Sequence, residues 1–249
     1  MKQFATKSAL RRFMAVILLT MGTVSASAQY YLNVIQKDGK TVQYSVSDID
    51  SIIISNQKIH EYVDLGLSVK WATCNVGAEK PEDFGGFFAW GETESRYSFN
   101  ASNYKWSDGG IVILLKYNFS NWFGTVDNKY TLEPADDAAH VQWGGEWRLP
   151  TKAELDELVA NCTFTWTTLN GVKGCLVTSK KAGYTDRSIF LPAAGIRFET
   201  NYYDCCAYMC SALHPESPHH TIMLYFDEDG VETPMISRNQ GLSVRPVCP

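Results

Sequence analysis

The most constraining feature of the sequence is the run of residues 144–158, which contains a complete N-terminal signal for a helix. Thr151 can accept hydrogen bonds from the first amides of a helix, and Glu154 occupies the matching position of a capping box. Leu155 and Leu158 follow at the spacing that places apolar side chains on one helical face. The segment therefore predicts a helix that begins after Thr151 and buries one face against a core.

Helical patterns are few elsewhere, and most of the remaining chain has the pattern of strands and turns. Residues 134–141 predict a short first helix. Residues 62–73 and 85–91 have the alternating or aromatic character of strands, and the chain after residue 163 consists of short strand patterns separated by turns. Residues 92–127 form a long segment rich in aromatic side chains, which we expect to be pinned to the domain.

Residues 1–28 have the three parts of an export signal. Four cations precede the apolar run 14–19, and Ala26 and Ala28 supply the small-residue cleavage pattern. The run is too short to cross a bilayer, and no later stretch is apolar enough to do so. We therefore expect cleavage after Ala28 and an exported chain without an integral membrane segment, located in the periplasm, at the cell surface or outside the cell.

Residues 29–58 have the pattern of a small β-rich module. Two alternating runs flank an Asp-Gly turn at Asp38, and a further β-rich run follows at residues 51–55. Roughly thirty residues cannot bury much of their own surface, so the module should dock on a main domain or pair with another chain. Docking is the favoured hypothesis, with residues 56–58 as the linker to a main domain of residues 59–249.

The charge balance argues against nucleic acid as a partner. Loss of residues 1–28 takes away four cations and no acid, so the formal net charge falls from −5 to −9. A nucleic-acid interface needs clustered basic side chains that neutralise phosphates. We therefore expect no nucleic-acid partner.

Seven ordered motifs lie between residues 61 and 248. They are Tyr62-Val-Asp-Leu-Gly-Leu-Ser-Val-Lys-Trp-Ala-Thr, Gly85-Gly-Phe-Phe-Ala-Trp-Gly-Glu-Thr, Asp136-Asp-Ala-Ala, Gly145-Glu-Trp-Arg-Leu-Pro-Thr, Phe164-Thr-Trp-Thr-Thr-Leu-Asn-Gly-Val, Ile189-Phe-Leu-Pro-Ala-Ala-Gly and Gly241-Leu-Ser-Val-Arg-Pro-Val. Together they resemble the Fibrobacter succinogenes major paralogous domain, which looks like a branch of the C-type lectin fold related to formylglycine-generating enzymes. The resemblance implies an α+β domain of two helices packed on mixed or antiparallel sheets, preceded here by the small N-terminal β-hairpin module.

The same resemblance implies a ligand-binding surface at residues 198–240, because relatives with this fold include proteins whose C-terminal surface is hypervariable. The segment mixes Tyr, Asn, Asp and His side chains, as binding surfaces do, and Cys210 stands where the family usually has Trp. The predicted ligand-binding residues are Asn201, Tyr202, Tyr203, Asp204, Tyr208, His214, His219, His220, Met235 and Asn239. The rival interpretation is a set of solvated loops with no partner.

The resulting hypothesis is an exported, adhesin-like binding protein that recognises a protein or a glycan, with no cofactor and no enzymatic activity. Calcium is not expected, because the Glu-Pro-Asn, Gln-Pro-Asp and Trp-Asn-Asp triplets of calcium-dependent lectins are absent and the run at Glu133 is Glu-Pro-Ala. A structural cell-surface subunit that self-associates through the N-terminal hairpin is the first alternative.

The cysteines raise two further alternatives. A zinc or copper site would use thiolate and imidazole ligands, and its candidates are Cys205, Cys206, Cys210, His214 and His219. A thiol-oxidising enzyme of the formylglycine-generating type would pair Cys205 or Cys206 with Cys210. The spacing matches no standard zinc motif. The seven cysteines are odd in number, so the disulfide pairing stays open, with a bridge from Cys74 to Cys162 as one hypothesis.

Four charged residues beside the motifs are expected to have structural roles. Arg148 and Arg245 each follow an apolar residue and could bind loop carbonyls beside the core. Asp136 and Asp137 are expected to cap a helix or to lie on a solvated face.

Overall fold

The computed structural model of the chain describes residues 30–36, 38–49, 59–110, 112–199, 201–203 and 205–249, with residues 201–203 as backbone alone. The chain divides into two compact units between Ser55 and Asn56. The predicted export signal and the predicted strand at residues 51–55 lie outside the described residues.

The first unit contains the predicted hairpin. Strand β1 (Tyr31–Ile35) pairs antiparallel with β2 (Thr41–Ser45), and a 3-10 turn follows at Val46–Asp48. The turn between the strands has Gly39 at a φ of 82°, a conformation that glycine adopts without steric cost. The Asp-Gly signal therefore predicted the hairpin correctly.

The second unit is α+β, consisting mostly of sheets with two α-helices in its described part. The helices are α1 (Ala138–Trp143) and α2 (Lys152–Asn161). The strands are β3 (Tyr62–Val63), β4 (Lys70–Ala72), β5 (Cys162–Leu169), β6 (Val172–Ser179), β7 (Ser188–Pro192), β8 (Ile196–Phe198), β9 (Asn201–Tyr203), β10 (Cys206–His214), β11 (Ser217–Phe226), β12 (Val231–Glu232), β13 (Met235–Ser237) and β14 (Val247–Cys248). No helix in the described part of the chain is long and apolar enough to cross a membrane.

Both helices begin at side-chain caps. Thr151 accepts a hydrogen bond from the Glu154 amide, and the Glu154 carboxylate accepts one from the Thr151 amide at 2.8 Å, so the predicted capping box is confirmed. Arg148 donates two hydrogen bonds to the same carboxylate, at 2.6 and 2.8 Å. Asp137 caps α1 and also accepts from the Leu149 amide at 2.8 Å, so one carboxylate holds the starts of both helical segments.

The described part of the second unit also contains four sheets, and their strand pairs are antiparallel. They have the orders β14-β4-β3, β5-β6-β7, β8-β9, and β10-β11-β12 with β13 also on β11. The predicted strand region at residues 62–73 contains β3 and β4, and residues 64–69 between them are not in a strand. The predicted strand at residues 85–91 is wrong, because the segment forms an isolated bridge from Phe88 to Leu242 and single amide bonds from Gly86 and Trp90 instead of a regular ladder.

Strand β10 lies between the two large hydrophobic clusters of the unit. Cys206 and Tyr208 point into a cluster with α2 and β5–β7, whereas Ala207 and Met209 point into a second cluster with α1. Alternate side chains of a strand face opposite sides, so a strand with both faces buried must be apolar at consecutive positions. This central placement decides how much of the C-terminal segment can reach solvent.

Arg245 is buried and binds backbone instead of a carboxylate. Its guanidinium donates to the carbonyls of Ala72, Thr73 and Phe190 at 2.7 to 2.9 Å, and to the side-chain oxygen of Asn75 at 2.8 Å. A guanidinium has five donors in a fixed plane, which suits several carbonyls of irregular backbone. The expected structural role of Arg245 is confirmed.

We predict that Arg245→Met destabilises the protein, because it leaves three buried acceptors and one part-buried acceptor without this donor. The loss in free energy of unfolding should be on the order of 3 kcal/mol, measured by urea denaturation. The matched control is Arg187→Met, whose guanidinium lies at the surface beside Asp64 and should cost less than about 1 kcal/mol. Equal midpoints for the two variants would show that the network of Arg245 carries no stability.

Candidate ligand-binding site

In the predicted ligand surface at residues 198–240, some of the predicted ligand residues are buried and others are exposed. Tyr208 is 2% exposed, and its hydroxyl donates to the Pro192 carbonyl at 2.7 Å. Asn239 is 6% exposed and accepts from the Ser237 hydroxyl at 2.6 Å. The predicted ligand roles of Tyr208 and Asn239 are therefore wrong, because both side chains are used inside the domain.

The cysteines of this segment are also interior. Cys206 and Cys210 face one hydrophobic cluster, whereas Cys205 belongs to the cluster on the other side of β10. The alternative metal set of Cys205, Cys206, Cys210, His214 and His219 does not come together: the described residues contain no group of three His, Cys, Asp or Glu side chains that could hold a metal ion.

Burial also governs the chemistry of Cys210. It raises the pKa of the thiol to about 11, so Cys210 is protonated at neutral pH and is a poor nucleophile. Cys74 and Cys162 are thiols in the structure, so the hypothetical bridge between them is not formed.

The end of the β10–β11 hairpin carries a bulge. Met209 pairs with Met223 and Leu213 pairs with Thr221, so β10 has two more residues than β11 over this stretch. The bulged backbone forms hydrogen bonds with other segments of the domain. The Cys210 carbonyl accepts from the Trp90 indole at 3.0 Å, and the Ser211 carbonyl and amide bond to Leu132 and Pro150.

A groove lies beside the bulged end of the hairpin. This hairpin groove has a volume of about 500 Å³ and is lined by Lys152, Ala212, Leu213, His214, Pro215, Ile222, Thr233, Pro234 and Met235. Its walls are the hairpin, the connection from β12 to β13, and the first residue of α2. His214 and Met235 are two of the predicted ligand residues, and the groove brings them together.

The hairpin groove is apolar with a basic edge. Six of its nine lining residues are apolar, and the titratable ones, Lys152 and His214, are both basic. Met235 is 54% exposed. The Lys152 ammonium lies 2.5 Å from the Asp156 carboxylate one helical turn away, which orients the lysine along α2. The groove is therefore suited to an apolar group that carries a negative charge nearby.

The other two predicted histidines lie on opposite faces of β11. His219 packs edge-on against the Phe123 ring with centroids 4.3 Å apart, and the His220 ring nitrogen lies 2.8 Å from the Ser217 hydroxyl. Burial lowers the pKa of both imidazoles, with Arg238 and His220 adding to the effect at His219. Both side chains help to build this end of the domain, and neither lines the groove.

Arg238 ties the long segment of residues 92–127 to the groove wall. Its guanidinium is buried and donates to the Tyr104 hydroxyl at 2.7 Å and to the carbonyls of Lys116, Tyr117 and Pro218 at 2.9 to 3.0 Å. It follows β13, whose Met235 lines the groove. The expected pinning of residues 92–127 is confirmed, and the pin is this arginine together with aromatic side chains.

Four predicted ligand residues, Asn201 to Asp204, are described as backbone alone or lie outside the described residues. The backbone of Asn201, Tyr202 and Tyr203 forms β9, which pairs with β8. Their side chains and Asp204 lie outside the described residues, so their ligand roles stay predictions.

Several groove and surface residues were missed by sequence reasoning. Lys152 was read only as part of a helix start, and Ala212 and Ile222 have the same apolar character as core residues. Trp122 is 83% exposed in the 3-10 turn Asn121–Phe123, next to the ring that packs on His219. The aromatic content of residues 92–127 predicts that the segment is pinned to the domain, but it does not show which ring stays exposed.

Comparison of the chain with protein-family models, curated protein sequences and solved structures finds no match. The function proposed below therefore rests on the geometry of the described residues and on the sequence.

We predict a pH dependence of stability from His219 and His220. Their folded-state pKa values lie below the ordinary value of 6.5, so the unfolded chain binds protons first as the pH falls. The contribution of the two histidines to the free energy of unfolding is intact above about pH 6.5 and is lost as the pH drops through the folded pKa values. Urea denaturation of the wild type and of His219→Gln/His220→Gln is compared at about pH 7 and pH 5. The free energy of unfolding should fall less between these two pH values in the variant than in the wild type. Identical losses would contradict the prediction.

Proposed function

We propose that this chain is an exported, non-enzymatic binding protein that holds a partner protein in the hairpin groove without calcium or another cofactor. The single observation that carries the proposal is the groove itself, a concave, largely apolar site whose lining includes two basic side chains. We also propose a cell-surface, periplasmic or extracellular location, which is supported by the export-signal pattern of residues 1–28.

We further propose that the second unit has a C-type-lectin-like fold and belongs to the major paralogous domain family that its motifs resemble. Two helices and antiparallel sheets in the described part are consistent with that fold. The pairing of β14 with β4 joins the final motif, at residues 241–247, to the opening motif at residues 62–73. The motifs are thus contacts within one domain.

The walls of the groove favour a peptide over a sugar. Side chains such as Ile222, Pro234 and Met235 offer apolar contact but few hydrogen bonds, whereas sugar hydroxyls need many polar partners. Lys152 and His214 favour a carboxylate near the inserted apolar side chain. A peptide segment with a large aliphatic or aromatic residue beside an acidic one fits these conditions best.

The test is selection of binders from a displayed random-peptide library, in parallel with a glycan array, using the chain from Gln29 onward. We expect peptides that combine an apolar and an acidic residue. Met235→Asp should weaken their binding by at least about tenfold, because it puts a charge on the apolar wall. The matched control Ile59→Asp, at another exposed apolar position, should leave the affinity unchanged.

Two outcomes would reject the proposal. Peptides that bind Met235→Asp as well as the wild type would place the binding surface elsewhere. Selection of glycans alone would remove the peptide assignment.

A structural, self-associating surface subunit is the second candidate, and the N-terminal hairpin favours it. Val34 and Tyr44 lie on one face of the hairpin and are 42% and 49% exposed. An exposed apolar strand pair is a surface for assembly. For such a subunit, sedimentation of the chain from Gln29 should give an oligomer that Val34→Lys/Tyr44→Lys converts to a monomer. A monomeric wild type would exclude assembly through this face.

A further inference from the structure

A second groove lies between the sheet β5-β6-β7 and the turn that joins β11 to β12. It has a volume of about 350 Å³ and is lined by Val159, Cys162, Phe164, Trp166, Cys175, Asp227, Glu228, Asp229, Gly230 and Val231. None of these residues lines the hairpin groove. We call it the acidic-turn groove.

The floor of the acidic-turn groove is aromatic and uncharged. Phe164 and Trp166 are half-buried on one face of β5, and the Phe164 ring is held 5.7 Å from the ring of Phe226. Burial raises the pKa of the Cys162 thiol to about 11 and that of Cys175 to about 12. Both thiols are therefore neutral at physiological pH and behave as small apolar side chains.

The rim of the groove is acidic and rigid at one position. Asp227 accepts hydrogen bonds from the Tyr225 hydroxyl and the Asp229 amide at 2.9 Å, and from the Gly230 amide at 3.3 Å. These bonds use Asp227 to shape the turn. In the described part of the chain, the exposed carboxylates of Glu228 and Asp229 make no side-chain hydrogen bond or ion pair, and the groove lining includes no Lys, Arg or His.

We propose that the acidic-turn groove binds an organic cation, an alkylammonium or guanidinium group presented by a free amine or by a Lys or Arg side chain. Such a cation combines an apolar surface with a positive charge. The rings of Phe164 and Trp166 attract it through their negative faces, and the carboxylates of Glu228 and Asp229 balance its charge.

A bare metal ion does not fit this arrangement. The described residues hold no group of three His, Cys, Asp or Glu side chains with metal-binding geometry, although two Cys and three acids line the groove. An apolar floor would strip water from a small ion without replacing it. A guanidinium is more weakly hydrated than an ammonium or a small metal ion, and the alkyl groups of an alkylammonium gain contact with the same floor.

The test uses tetramethylammonium chloride as the probe and tert-butanol as its uncharged analogue of similar shape. Binding is followed by NMR through the Trp166 indole N–H signal, which is assigned by its loss in Trp166→Phe. We expect a saturable shift with tetramethylammonium and none with tert-butanol. N-acetyl-arginine amide and N-acetyl-lysine amide, compared with choline, distinguish a protein side chain from a free amine as the source of the cation.

The decisive variant is Glu228→Gln/Asp229→Asn, which removes two charges at nearly constant shape and is expected to weaken binding at least about fivefold. The matched control Glu94→Gln/Asp186→Asn makes the same charge change at exposed positions outside the groove and should alter affinity less than about twofold. Circular dichroism checks that both variants fold.

Three results would overturn the proposal. The first is the absence of a saturable shift with every cation. The second is equal binding of tert-butanol, which would make the groove a simple apolar cleft. The third is an equal loss in the control variant, which would assign the effect to net charge. The hairpin-groove variant Met235→Asp should leave cation binding unchanged, so this result is separable from the proposed peptide site.

Discussion

The rest of the domain depends on strand β10, which is buried on both faces and therefore has to satisfy its backbone wherever its ladder is interrupted. The interruption comes at the bulge of residues 210–212, and the Trp90 indole, the Leu132 amide and the Pro150 carbonyl supply the missing partners. Buried peptide groups without partners would be costly. The backbone that these bonds satisfy adjoins the hairpin groove, whose lining includes Ala212 and Leu213.

Two buried arginines join irregular backbone segments by hydrogen bonds, as ladder hydrogen bonds join the strands of a sheet. Arg245 joins the backbone around Ala72 and Thr73 to that of Phe190, and Arg238 joins the segment of residues 92–127 to the end of β13. Burying a guanidinium costs free energy, which four well-placed acceptors offset. Long connections can therefore be rigid without regular secondary structure, and they can support a binding surface.

The unit carries two grooves with opposite electrostatic character. Basic side chains line the hairpin groove, whereas carboxylates line the acidic-turn groove, although the whole chain has a net charge of −5. The local charge at each groove, more than the net charge, selects what approaches at short range, because salt screens distant charges. The hairpin turn and the β11–β12 turn lie at opposite ends of β11, so one long strand connects the two sites.

The sequence by itself determined the features that depend on neighbouring residues: the capping box of α2, the Asp-Gly hairpin and the expected carbonyl-binding role of Arg245. Tertiary structure alone decided which residues of the C-terminal segment face solvent. Tyr208 and Met235 looked equally suited to a ligand, yet one is in the core and the other lines a groove. The physical reason is that burial depends on which strands pack on both sides of β10, and those contacts join residues far apart in the chain.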